Sequence, residues 1–251
     1  MPYALDEQFD SQIRQLITDQ GDTDSADLIR EIITTGFKLV GDAADRGDLK
    51  IINTALKEIR HAFRVFLPYR DARKVSIFGS ARVKRGEATY DLAYSFAERI
   101  VQRGFMTITG AGPGIMEAGN AGAGRDNTFG LGIRLPFEQT SNEFIEGDPK
   151  VINFKYFFTR KLIFVKETDA LVLFPGGFGT LDESFETLTL VQTGKSKPVP
   201  VICSGSRRPG TGTVASASPL LVVSASGVAT TPSQRSAVAQ ACSERSSLSV
   251  W

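Results

Sequence analysis

"LVLFPGGFGTLDESFETLTL", residues 171–190, decides how the chain is read. The apolar run from Leu171 to Phe174 has the length and flanks of a strand covered on both faces, and Pro175 stops it. Gly176, Gly177 and Gly179 allow backbone angles that a side chain forbids and let another molecule approach the main chain closely. Thr180 is placed to cap the helix that follows, whose first turn carries Asp182 and Glu183. A helix N-terminus beside a glycine loop favours anions, yet this one also bears carboxylates. That conflict points to a third party in the site.

Outward from this stretch, the chain from Lys74 alternates short apolar strands with amphipathic helices, the pattern of a mostly parallel α/β sheet with helices on both faces. Strands are expected at "KVSIFGS", "FMTITG", "TFGLGIRL", "ALVLFPG" and "VPVIC", and helices at about 89–103, 114–125, 152–167 and 181–193. Three strands end in loops of small residues: "GSAR" at 79–82, "GAGPG" at 110–114 and "PGGFGT" at 175–180. Open α/β sheets bind ligands at the carboxyl ends of their strands, near the point where strand order reverses. The three loops are therefore expected to share one crevice.

Residues 1–70 precede the sheet as a helical N-terminal segment. "QIRQLI", "SADLIREIITTGFKLVGDAADRG" and "LKIINTALKEIRHAFRVF" carry apolar residues at three- and four-residue spacing, with Asp24 or Ser25 and Asp48 as expected caps. The α/β domain then occupies 71–203. Residues 204–251 differ in kind: after Cys203 there is no Lys, Asp, Ile or Phe, one Glu, and a heavy load of Ser, Ala, Thr and Gly. That tail reads as atypical low-complexity sequence, poorly ordered, of the sort a shifted reading frame produces.

Composition excludes several classes of function. The chain is 41% hydrophobic and 23% charged, ordinary for a soluble globular protein. A net charge of +1 leaves no electrostatic footprint for nucleic acid. No stretch has membrane-spanning length and the first residues lack a signal-peptide pattern, so no membrane partner and a cytoplasmic location are expected. Cys203 and Cys242 make neither a disulfide framework nor a metal cluster. With His61 as the single histidine, a histidine-based triad or a multi-histidine zinc site is excluded, and no metal is expected. Chemistry must use carboxylates, arginine, lysine or hydroxyls.

"GAGPGIMEAGNAGAG", residues 110–124, resembles a dinucleotide fingerprint but lacks its spacing, because Ile115 stands where a glycine is required and no acid ends the next strand. Neither glycine loop continues into the Gly-Lys-Ser/Thr of a phosphate-binding loop. The glycines point to a mononucleotide, its phosphate held by amides at a helix N-terminus. The alternative is that they serve only tight turns and close packing. In "FKYFFTRKLIFVKE" helical spacing puts Phe157, Ile163 and Phe164 toward a buried face and leaves Arg160 to face the crevice, although a basic pair such as Arg160 and Lys161 is also common on solvated surface. Glu183 and Glu186 share one helix face, where acids also complement the helix dipole.

"FGSAR", "TGAGPGIMEAGNAGAG", "LPFEQTSN" and "YFFTRKLIFVKETDALVLFPGGFGTLDESFETLTLVQTGK" together resemble the LOG family, cytokinin-activating phosphoribohydrolases and their bacterial nucleotide nucleosidase relatives, long labelled "lysine decarboxylase-like". The resemblance spans roughly Lys74 to Ile202. It implies a modified Rossmann fold, usually dimeric, that hydrolyses the N-glycosidic bond of a nucleoside 5′-monophosphate, AMP-like or a cytokinin ribotide, to free base and ribose 5-phosphate without a cofactor. By motif, Arg160 matches the catalytic arginine and Glu183 the catalytic glutamate. Substrate and phosphate contacts are implied for Gly79, Ser80, Arg82, Gly112, Gly114, Ile115, Met116, Glu117, Lys161, Gly176, Gly177, Gly179, Thr180 and Glu186. The chain departs from the pattern in reading Gly110, Ala111, Gly112 where three glycines are usual, and in its tail. Two other readings stand beside this one: a non-catalytic regulatory protein that binds a mononucleotide or alarmone, and a decarboxylase, which needs pyridoxal phosphate and a Schiff-base lysine.

Overall fold

The structure is a computed structural model that describes residues 7–21, 24–135, 141–204, 221–224 and 227–229. It divides into two compact units, Met1–Leu56 and Lys57–Trp251, the boundary falling inside a helix.

The first unit holds α1 (Glu7–Gln20), α2 (Ala26–Gly41) and the start of α3 (Arg46–Phe66). Amphipathic spacing explains the pairing of α1 with α2: Phe9 meets Phe37 edge to face at 4.9 Å, and Arg30 Nη1 lies 2.7 Å from Asp10 Oδ1. Ser25 is the N-cap of α2. At α3 the cap differs from expectation. The Asp48 amide donates to Asp45 Oδ1 at 2.8 Å and the Asp45 amide donates to Asp48 Oδ2 at 3.3 Å. Asp48 is thus the inner member of a reciprocal capping pair, and Asp45 supplies the outer one.

The second unit takes in the end of α3 and then β1 (Arg73–Phe78), α4 (Ala88–Val101), β2 (Phe105–Thr109), α5 (Ile115–Ala123), β3 (Thr128–Ile133), β4 (Val151–Phe154), α6 (Phe157–Glu167), β5 (Ala170–Leu173), α7 (Phe178–Gln192), β6 (Val201–Cys203), β7 (Leu221–Ser224) and β8 (Gly227–Ala229). The sheet order is β4-β3-β2-β1-β5-β6-β7-β8. Strands β1 to β6 are joined by parallel pairings only, and β7 and β8 continue the sheet antiparallel beside β6. β1 pairs with β2 on one side and β5 on the other, so strand order reverses between β1 and β5. This is the α/β, Rossmann-type arrangement expected of the sequence, with a helical segment before it.

Alternation along the strands sends successive side chains to opposite faces. On one face Ile108, Phe129, Leu131, Leu171 and Leu173 pack with Ala62 and Phe66 of α3 and with Ile163 and Phe164 of α6. On the other, Val75, Ile77 and Val172 pack with Ala93 and Ala97 of α4 and Ile115 and Ala118 of α5. Both faces are covered, which is why the strands read as continuous apolar runs.

Three local expectations are corrected. The expected helix at 152–167 is a strand followed by a helix, because Ile152 and Phe154 are buried with Asn153 exposed between them, and this two-residue period pairs β4 with Gly130–Ile133 of β3. On α6, Ile163 and Phe164 are buried but Phe157 is exposed. Finally, α7 starts at Phe178 with Gly177 as its N-cap, and the Thr180 amide donates back to the Gly177 carbonyl at 3.1 Å. Thr180 is therefore inside the helix and not its cap. Most of the tail after residue 204, including Cys242, and residues 136–140 of "LPFEQTSN" lie outside the described residues. Among the described residues no helix is long and apolar enough to cross a membrane.

Candidate functional site

The loops that follow β1, β2 and β5 meet at the carboxyl ends of their strands. The Ser80 amide donates to the Pro175 carbonyl at 3.0 Å, and the Ile115 amide donates to the Ser80 carbonyl at 3.1 Å. This knitting explains most of the glycines. A Cβ on Gly79 would lie 2.7 Å from Ile115, one on Gly112 would lie 2.7 Å from Met116 Cε, one on Gly114 would overlap the Ser80 carbonyl and lie 2.7 Å from Ala81 C, and one on Gly176 would overlap the Thr180 hydroxyl. Gly79, Gly114 and Gly176 are needed for packing, whereas at Gly112 the neighbour is the flexible end of Met116. Gly177 and Gly179 are different: a Cβ there meets nothing within 4 Å, and residues 175–179 are exposed. The open positions coincide with the first residues of α7, where backbone N–H groups have no partner within the helix.

Among the described residues of this edge, Ala111 is the one non-glycine with positive φ, at 66°. A buried polar network holds it there. The Ala111 amide donates to Thr109 Oγ1 at 3.0 Å, and Asn142 Nδ2 donates to the carbonyls of Ala111 and Gly112 at 3.1 and 3.0 Å and to Asn120 Oδ1 at 2.8 Å. Asn120 is anchored in turn by Thr109 and Thr128. Neither Asn142 nor Asn120 stands out in the sequence, since lone asparagines more than 20 residues apart carry no periodic signal.

Arg160 on α6 and Glu183 on α7 converge at this edge, with Arg160 Nη2 donating to Glu183 Oε1 at 3.2 Å. The guanidinium lies 5.5 Å from the ring centres of both Phe157 and Phe164, and Arg160 Nη1 is 3.8 Å from where a Gly110 Cβ would be. Arg160 Nε is buried with no hydrogen-bond partner among the described residues. Behind Glu183 lies a cavity of about 10 Å³ lined by Phe78, Phe164, Leu171, Thr187 and Val199. Glu183 is 6% exposed. This burial pushes its carboxyl above the usual glutamate value, and the opposing pull of Arg160 and Lys161 does not offset it.

The neighbouring charges are engaged. Lys161 Nζ lies 2.7 Å from Asp182 Oδ2 and 2.9 Å from Glu186 Oε2. Burial opposes its charge, but those two carboxylates outweigh it and hold the ammonium above the usual lysine value. A Schiff-base lysine must be neutral to attack a carbonyl, so Lys161 does not fit pyridoxal phosphate, and no chemistry is routed through that cofactor. Glu117 accepts from Arg85 Nε at 2.5 Å and from Tyr90 Oη at 2.9 Å, while Arg85 also pairs with Glu143. Glu117 thus ties the first loop to α5. The side chain of Ile115 is fully buried, that of Met116 fills the space over Gly110 and Gly112, and Thr180 is buried against Gly176. Arg82 is exposed, and the Ser80 hydroxyl accepts from the Arg82 amide at 3.1 Å. Among the described residues no group of three or more His, Cys, Asp or Glu side chains is placed to hold a metal ion.

Residues 114–208 match the sequence model of a family described as "Possible lysine decarboxylase". An uncharacterised protein of Archaeoglobus fulgidus is 31% identical over 121 residues, covering 48% of this chain and 78% of that protein. Among solved structures, the chain is similar to the molybdenum cofactor binding protein of the phototrophic bacterium Rippkaea orientalis, with 23% identity, 53% of this chain and 76% of that chain covered and a TM-score of 0.39. It is also similar to the molybdenum cofactor carrier protein of Chlamydomonas reinhardtii, with 20% identity, 54% and 78% covered and a TM-score of 0.41.

Proposed function

The chain belongs to the LOG family, the group whose sequence model is described as "Possible lysine decarboxylase", and from that membership we propose that it hydrolyses the N-glycosidic bond of nucleoside 5′-monophosphates, releasing free base and ribose 5-phosphate. The observation that carries this reading is the meeting at 3.2 Å of Arg160 with Glu183, on a helix whose start holds the exposed, unobstructed Gly177 and Gly179.

Cleavage of a ribosyl–base bond develops positive charge on the sugar and negative charge on the departing base. The C1′–N bond breaks with its electron pair going to the base, water supplies the new C1′–O bond, and a proton from that water ends on the base. Glu183 as carboxylate stabilises the cationic sugar or orients and deprotonates the water. Arginine is a poor proton donor, so the part of Arg160 is electrostatic: it offsets negative charge on the base or phosphate. The 5′-phosphate sits at the start of α7, and the carboxylate that seemed out of place there faces the sugar, on the second turn.

The test is incubation of the purified protein with a panel of nucleoside monophosphates, AMP and cytokinin ribotides included, with base and ribose 5-phosphate quantified by chromatography. Stoichiometric release of both from at least one nucleotide is expected. Calorimetric binding without release would leave the regulatory reading in place and end this one.

A second copy of this chain is the partner we propose for the exposed apolar face of α6 and α7. Phe178, Leu181 and Phe185 follow one another at helical spacing on α7, with Phe158 and Leu162 on α6. Phe178 is 92% exposed and Phe185 63%, and the described residues give such rings no cover. The sequence resemblance to a dimeric family supports a copy of the chain as the occupant. Phe185→Asp is therefore expected to turn a dimer into a monomer in sedimentation analysis, and an unchanged mass would sink the proposal.

A further inference from the structure

Glu58, on α3, makes two hydrogen bonds to a segment 97 and 101 residues further along the chain. Its Oε1 accepts from the Lys155 amide at 2.5 Å, and its Oε2 accepts from the Thr159 hydroxyl at 2.7 Å. These two donors flank the start of α6, whose N-cap, Tyr156, makes no side-chain capping bond. A helix start without its own cap leaves backbone donors unpaired, and a carboxylate placed there is favoured by the helix dipole. Thr159 is fully buried, and the next residue is Arg160, whose amide closes the first turn on the Tyr156 carbonyl at 3.3 Å.

We propose that Glu58 is a positioning residue for Arg160, clamping the first turn of α6 so that the guanidinium is presented to Glu183 and to the substrate. The proposal rests on reading Arg160 and Glu183 as the reacting pair. The clamp is needed because the guanidinium has little else to orient it. Among the described residues one hydrogen bond reaches Glu183, two aromatic rings confine its plane, and its buried Nε has no partner. A turn that is free to fray moves Arg160 by an ångström or more, and displacements of that size in a reacting constellation cost about a hundredfold in rate.

The substitutions separate clamp from charge. Glu58→Gln retains both bonds: its amide oxygen accepts from Lys155, and its amide nitrogen donates to the Thr159 hydroxyl, whose own proton then turns to the Tyr156 carbonyl, 2.9 Å away. Glu58→Ala removes both bonds. Thr159→Val removes one and preserves shape. Glu58→Ala is expected to lower kcat for the best nucleotide about ten- to a hundredfold with a smaller change in KM, and Thr159→Val by less, while Glu58→Gln stays within about twofold of the unsubstituted protein.

A second measurement does not depend on activity. In the full chain labelled with ¹³C at glutamate, the Glu183 carboxyl is titrated by NMR. The charges facing it are Arg160, Lys161 and Asp182. Loss of the clamp loosens Arg160, so the Glu183 midpoint is expected to rise in Glu58→Ala and Thr159→Val and to stay in place in Glu58→Gln. A role confined to stability lowers the melting temperature and leaves that midpoint unchanged. An unshifted midpoint in both clamp variants, or full kcat in Glu58→Ala, overturns the proposal. If the unsubstituted protein hydrolyses no nucleotide, the nucleosidase reading fails by itself and the titration still decides whether Glu58 places Arg160.

Discussion

Arg160→Ala and Glu183→Gln are each expected to reduce release of base from AMP, or from whichever nucleotide the panel identifies, by about a hundred- to a thousandfold, the usual loss when one preorganised charge is removed from a site that excludes water. The two variants should part company in stability. Because burial raises the Glu183 carboxyl above its ordinary value, the folded protein holds that proton more tightly than the unfolded chain does. Its contribution to folding is therefore fully present below the unfolded glutamate value and is lost as pH rises through the raised folded value. A neutral glutamine, which still accepts from Arg160, avoids that loss. Glu183→Gln is thus expected to melt higher than the unsubstituted protein at neutral pH while being inactive. Arg160→Ala leaves a buried carboxylate without its partner and is expected to melt lower. The same ionisation sets the acid limb of activity: if the carboxylate is the working form, turnover falls as pH drops through a midpoint above the ordinary glutamate value. Near-normal turnover in either variant, or an acid limb below that value, would remove this pair from the mechanism.

The second large effect concerns the loop geometry. Gly114 has φ +70° and ψ −126°, a region essentially reserved for glycine, and an added Cβ would strike backbone, lying 2.7 Å from Ala81 C and 2.9 Å from its Cα. Backbone strain of roughly 1–3 kcal/mol and overpacking of a similar size together make about 4 kcal/mol for Gly114→Ala, a large part of the roughly 5–15 kcal/mol that holds a domain together. The expected result is a melting temperature lower by about 10 °C, or no soluble protein. Gly179→Ala is the control. Its Cβ meets nothing within 4 Å, so melting should change by no more than about 2 °C, while KM is expected to rise if the phosphate binds there as proposed. Equal melting temperatures for the two variants would show that the loops are not knitted as described.

Much of the fold was legible because its signals are local. The run from Leu171 to Phe174 followed by Pro175 marks a strand end whatever else the chain does, and so do the glycines at 110–114. The misreading of Ile152–Phe154 as helix has a physical origin. Apolar spacing continues unbroken from Ile152 into α6, and pairing with β3 across about 20 residues, invisible to local pattern, makes that piece a strand. Thr180 was misplaced as a cap for a related reason. Glycine at 177 makes a serviceable N-cap, and the helix starts there, three residues before Thr180.

The candidate site divides along the same line. Residue types and their order in sequence determined that a glycine loop, a basic pair on one helix and acids on the next would sit at strand ends, because backbone sterics and helical period act over a few residues. Only the tertiary structure decided that β1 lies between β2 and β5, that Gly79, Gly114 and Gly176 serve packing while Gly177 and Gly179 stay open, and that Arg160 meets Glu183 with Glu58 at the foot of its helix. The Arg160–Glu183 and Glu58–Thr159 contacts join residues 23 and 101 positions apart. They depend on which elements become neighbours when both faces of the sheet are buried, and no local pattern carries that information.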